Sequence, residues 1–168
     1  MKRIIIDLLL ILILFVLQTT LFPMFNIEIV PNLIIILVSC VGFMQGDREG
    51  LFVGFGCGLL LDIFSFDIFG FYTILLMLIG FLNGFAHNFF YLKDLKIPII
   101  LITSSDLFYC LITYFFLFLM RSRFDFIVYF KNIIFPEVTF TLLISVIIYP
   151  ILWLIEAYIF NKKNAESQ

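Results

Sequence analysis

The chain is short of charge. Only 13% of its 168 residues are Asp, Glu, Lys or Arg, against roughly 25% in ordinary soluble domains. Its mean hydropathy is +1.20. That leaves too little polar surface to coat a soluble globule, so lipid must serve as its solvent. The net charge is −2, with no basic or acidic block, which argues against nucleic acid as a partner. Cysteine is scarce too: Cys40, Cys57 and Cys110 all lie in apolar runs. An odd number at these spacings gives neither a disulfide framework nor a metal-finger pattern, and the three read as small buried hydrophobes. There is one histidine, His87, and one tryptophan, Trp153. No P-loop, no Gly-rich nucleotide turn after a strand and no His/Glu zinc motif is present. No cofactor and no metal is therefore expected. No nucleophile–base pair can be read from the spacings either, and the expectation is a protein that is not an enzyme.

What the chain does have is long apolar runs. A membrane-spanning helix needs about 20 mostly apolar residues. Six segments qualify or come close: 4–22, 30–45, 50–66, 69–90, 97–120 and 133–160. The expected fold is a single all-α integral membrane domain over residues 1–168, with six transmembrane helices. Gln18 to Pro23 contains no small-x-small cleavage site, so the first run reads as a span rather than a removed signal. With the N-terminus in the cytoplasm, the inner side collects Lys2, Arg3, Arg48, Lys93, Lys96, Lys162 and Lys163. The outer side receives Arg121, Arg123 and Lys131. Basic residues concentrate in cytoplasmic loops, so both termini are placed inside. The external segment 121–132 mixes those basic residues with Phe124, Phe126, Tyr129 and Phe130. Such a mixture suits a loop lying along the membrane–water interface.

Glycine is strongly clustered. All nine glycines fall between positions 42 and 84, and Gly42, Gly46, Gly50, Gly54 and Gly58 are spaced by four, with Asp62 on the next step. Gly42 closes the second span and Gly46 falls in the following turn. Gly50, Gly54 and Gly58 then form one bare helix face. Such a face lets another backbone approach closely, and it makes Gly50, Gly54, Gly58 and Asp62 a candidate helix-packing or partner interface. The pattern leaves open whether the partner helix belongs to this chain or to another protein.

Polar residues inside the spans are few. Glu137, Thr141, Ser145 and Tyr149 recur at intervals of four on the sixth span. Ser105, Asp106, Tyr109, Cys110 and Thr113 share a face of the fifth, and Asn83 and His87 lie four apart on the fourth. Asp106 stands nine residues past Ile97, about 14 Å along the helix and near mid-membrane. Asn83, Asp106, Glu137, Thr141 and Ser145 are thus candidates for a polar interior or pocket. Interhelical hydrogen bonding is the simpler role for them. Asp7 and Glu156, near cytoplasmic helix ends, read as anchors.

Four pieces of this sequence occur together in a known family. Pro31-Asn32 opens the second span. The turn Gly46-Asp47-Arg48-Glu49-Gly50-Leu51 follows. Then comes Gly54-Phe55-Gly56-Cys57-Gly58-Leu59-Leu60-Leu61-Asp62, and after it Phe69-Gly70. The run from Pro31 to Phe71 resembles the rod shape-determining membrane protein MreD family. The resemblance implies a non-catalytic component of the bacterial elongation machinery in the inner membrane. Its implied role is to help organise or activate side-wall peptidoglycan synthesis and maintain cell shape. The implied partners, besides membrane lipid, are MreC and, through it, the actin-like MreB, the glycosyltransferase RodA and a penicillin-binding transpeptidase. The family is also similar in architecture to the substrate-binding subunits of energy-coupling-factor transporters. The alternative reading that follows is a vitamin-type binding subunit of a transporter.

Overall fold

The computed structural model describes residues 2–21, 24, 30–65, 69–87, 89, 96–119 and 126–166. Among them every regular element is helical. Helix α1 spans Lys2–Val16 and runs on into a π-helical turn, Leu17–Leu21. Helix α2 is Leu33–Gln45, α3 is Asp47–Phe64 and α4 is Phe71–His87. Helix α5 is Lys96–Leu119. A short α6, Phe126–Tyr129, passes through the π-helical turn Phe130–Ile134 into α7, Phe135–Glu166.

Each of the six expected apolar segments overlaps one of the long helices, and two stretches differ. The turn between α2 and α3 shrinks to Gly46 alone. Its φ of +108° reverses the chain in one residue, a conformation only glycine adopts cheaply. Asp47 and Glu49 then occupy the first turn of α3, where acidic side chains complement the helix dipole. The last helical stretch also begins earlier than position 133, at Phe126, because α6 and the π-turn continue directly into α7.

Two of the described segments, 96–116 and 127–158, are long and apolar enough to cross a membrane. Residues 5–20, 33–45 and 71–87 form shorter apolar helices.

Helix α2 is the centre of the bundle. Every residue from Leu33 to Phe43 is buried, and α1, α3, α4, α5 and α7 all pack against it. A helix that is apolar on all sides is one enclosed by others. The surrounding helices instead turn large apolar side chains outward: Leu8, Leu9 and Leu12 on α1, Ile74 and Leu78 on α4, Leu143, Ile147 and Leu154 on α7. In water such faces would be a liability, and in lipid they are the normal outer surface.

Burying the start of α2 creates a problem, because the first N–H groups of a helix have no partner within it. The Pro31-Asn32 pair and a neighbouring helix resolve it. Leu33 N–H donates to the Pro31 carbonyl at 3.1 Å. Ile34 N–H donates to Gln18 Oε1 at 3.2 Å, and Ile35 N–H to Asn32 Oδ1 at 3.3 Å. The Asn32 N–H itself donates to Thr141 Oγ1 at 3.1 Å, tying α2 to α7. At the other end of α2, Gln45 Nε2 donates to Glu156 at 3.1 Å and to Asp7 at 3.4 Å. One amide there links α1, α2 and α7.

Candidate functional site

The glycine face of α3 is filled by α4 of the same chain. The two helices run antiparallel, so Gly50 lies at Gly80, Gly54 at Leu76 and Met77, and Gly58 at Tyr72 and Thr73. A Cβ added to Gly54 would stand 2.8 Å from the Leu76 carbonyl carbon, and one on Gly58 2.7 Å from the Tyr72 carbonyl oxygen. Glycines on α4 answer in kind. A Cβ on Gly84 would meet the Asp47 backbone nitrogen at 2.5 Å, and one on Gly80 the Gly50 carbonyl carbon at 2.7 Å. Gly42 of α2 joins the same junction: its added Cβ would lie 2.6 Å from the Gly80 carbonyl oxygen. Three backbones therefore meet at Gly42, Gly50 and Gly80. Gly56, off this face, would meet only the end of Ile11 at 3.4 Å.

Asp62 is 3% exposed, and its carboxylate is fully engaged. It accepts the N–H of Tyr72 at 3.0 Å, the N–H of Thr73 at 2.9 Å and the Thr73 hydroxyl. These are donors of the first turn of α4. The residue before that helix is Gly70, with φ +96°, which has no side chain to cap it. Asp62 supplies the missing acceptor from α3, one turn beyond Gly58. Its negative charge also sits at the positive end of the α4 dipole. The glycine face and the carboxylate at its end thus act as one clamp on the α3–α4 hairpin.

Asn83 is a second junction. Its Nδ2 donates toward Ser39 Oγ of α2 at 3.1 Å, Ser105 Oγ of α5 at 2.8 Å and the Ile79 carbonyl at 2.9 Å. His87, one turn further, sets Nδ1 at 2.6 Å from the Phe43 carbonyl. A carbonyl only accepts, so that nitrogen carries the hydrogen, and it satisfies a carbonyl in the last turn of α2.

Asp106, Thr141 and Ser145 are fully enclosed, each at 0% exposure. The Thr141 hydroxyl donates to the Glu137 carbonyl at 3.0 Å and Ser145 Oγ to the Leu142 carbonyl at 2.7 Å. Neither oxygen of Asp106 has a hydrogen-bond partner. Asp106, Cys110 and half-buried Glu137 converge between α5 and α7, each offering an atom within 4.8 Å of the other two.

Of the residues named for the external loop, Arg121 and Arg123 lie outside the described residues, and Phe126 begins α6. Tyr129 ends α6 and packs at a tilt against Tyr114 of α5, with ring centroids 4.7 Å apart.

Sequence reading placed Asp106 and Cys110 on one face of a helix. It did not pair Cys110 with Glu137, because the register between α5 and α7 is a tertiary property. The central position of α2 was also missed. Its signal was present in the unbroken apolar run from Leu33 to Val38.

A family model described as rod shape-determining protein MreD matches residues 1–160. The chain belongs to that family. A search of curated proteins and a search of solved structures each returned no match.

Proposed function

We propose that this member of the family is a non-catalytic membrane scaffold of the bacterial elongation machinery, crossing the inner membrane six times with both termini in the cytoplasm. In this role it holds MreC, and through MreC it organises MreB, RodA and a penicillin-binding transpeptidase for side-wall peptidoglycan synthesis. The family match over residues 1–160 carries this reading. The fate of the polar groups supports it. Asp62, Asn83, His87 and Asn32 are spent on helix termini and helix–helix junctions, which is what a rigid platform requires.

The Gly50–Gly54–Gly58–Asp62 face acts through the platform's rigidity, because α4 already occupies it. Partners dock on the outward faces and on the segment around Tyr129. Helices α1 and α7 carry much of the outward apolar surface.

The test is complementation in a rod-shaped bacterium depleted of its own copy. The wild-type chain restores rods. Gly58→Leu, which forces a bulky side chain into the Tyr72–Thr73 backbone, leaves cells round although the protein is made. Failure of the wild-type chain to restore rods when it is present in the membrane would sink the proposal.

A further inference from the structure

We propose that Asp106, Cys110 and Glu137 form a binding site for one divalent transition-metal ion, with zinc the ion their donor set suits best. The three residues come from two helices. Asp106 and Cys110 are four apart on α5, so they share a face, and Glu137 arrives from the first turn of α7.

The independent pointer to a ligand is Asp106 itself. The residue is 0% exposed, and both carboxylate oxygens are buried without a hydrogen-bond partner. The nearby Thr141 hydroxyl gives its hydrogen to the Glu137 carbonyl. A buried carboxylate whose neighbouring hydroxyl, that of Thr141, turns its hydrogen to the Glu137 carbonyl, and which stands beside a second carboxyl group, is costly unless it is neutralised; a cation completing the group does that. Elsewhere in the bundle, the buried carboxylate of Asp62 accepts three hydrogen bonds, in contrast to Asp106. Thr113 Oγ1, three residues past Cys110 on α5, is also buried and unpartnered.

Geometry and donor chemistry select the ion. Three atoms mutually within 4.8 Å enclose a point no more than about 2.8 Å from each, and inward movement of roughly 0.5–0.8 Å reaches the 2.0–2.3 Å of zinc bonds. The thiolate disfavours calcium and magnesium, which take oxygen ligands. Two carboxylates and one thiolate fill three positions of a tetrahedron and leave the fourth for water. Glu137 is only half-buried, so the site is open to an ion on the Glu137 side. Binding displaces the Cys110 thiol proton to solvent.

The test uses the full chain, purified in detergent, stripped with a chelator and titrated with Co²⁺. The expected result is one equivalent bound, with thiolate-to-cobalt charge-transfer absorption that Zn²⁺ abolishes by displacement. Cys110→Ser removes that absorption. Asp106→Asn and Glu137→Gln each weaken binding by about tenfold or more, the scale of losses at supporting positions of metal sites. A chain carrying both Cys40→Ser and Cys57→Ser keeps the signal. Absence of thiolate absorption in the wild-type chain overturns the proposal whatever the variants do. So does its survival in Cys110→Ser, or unchanged affinity in both carboxylate variants. None of these outcomes bears on complementation of cell shape, so the metal site and the scaffold role stand or fall separately.

Discussion

Replacing Gly58 by alanine puts the packing account to a quantitative test. The added Cβ would lie 2.7 Å from the Tyr72 carbonyl oxygen and 2.8 Å from the Thr73 nitrogen, where ordinary contact begins at 3.4 Å. Both neighbours are backbone, and the Thr73 Cα lies closer still, so α3 and α4 must part by at least about 0.7 Å. One turn away, Asp62 holds the N–H groups of Tyr72 and Thr73 at 3.0 and 2.9 Å. The same separation stretches those bonds to about 3.6 Å, where they cease to count as hydrogen bonds. Overpacking of a tight contact costs about 1–3 kcal/mol. Weakening hydrogen bonds to a charged acceptor adds about 1–2 kcal/mol. Alanine also gains up to about 1 kcal/mol of helix propensity over glycine at this position, so Gly58→Ala should destabilise the chain by about 1–5 kcal/mol. Gly56→Ala is the internal control. Its Cβ meets only the Ile11 side chain at 3.4 Å, and alanine gains up to about 1 kcal/mol of helix propensity over glycine. Unfolding of both variants in detergent, followed by helical circular dichroism, gives the comparison. Equal stability of Gly58→Ala and wild type, or equal loss in both variants, would refute the reasoning.

Further predictions concern polar junctions. Asp62→Ala strands the two N–H donors at the start of α4 and should cost about 2–4 kcal/mol; Asp62→Asn, which keeps an acceptor, should cost less than half of that in the same unfolding assay. Asn32→Ala removes the acceptor for Ile35 N–H and should cost about 1 kcal/mol, with faster amide exchange at the start of α2. Asn83→Leu breaks the link from α4 to Ser39 and Ser105. Because both hydroxyls can turn to carbonyls of their own helices, the loss should stay near 0.6–1.7 kcal/mol, read from the same melts.

The helices were legible in the sequence because apolar runs broken by Pro, Gly and charge are one-dimensional features. The last helical stretch begins at Phe126, ahead of the expected start at 133, because Phe126 to Tyr129 continue straight into the last helix, whereas their mixed composition suggested a loop. The glycine spacing pointed to a close backbone approach, and in the structure that face lies against α4. It could not name α4 as the partner, since an identical stripe would suit any helix. Asp62 looked like an intramembrane charge in want of a purpose. Its purpose, capping a helix that begins with glycine, depends on the turn between α3 and α4 bringing Thr73 back beside it. Cys110 read as a small hydrophobe, and it is 6% exposed. Only the pairing of α5 with α7 adds Glu137 to the Asp106 that already shares its face.

The central claim is that this chain holds the elongation machinery together in the membrane. Its most direct test is purification of the tagged, full-length chain from native membranes at its natural level, with quantitation of MreC in the eluate. The account predicts MreC in a fixed ratio to the wild-type chain and its loss from Gly58→Leu. Elution of folded wild-type chain without MreC would contradict it.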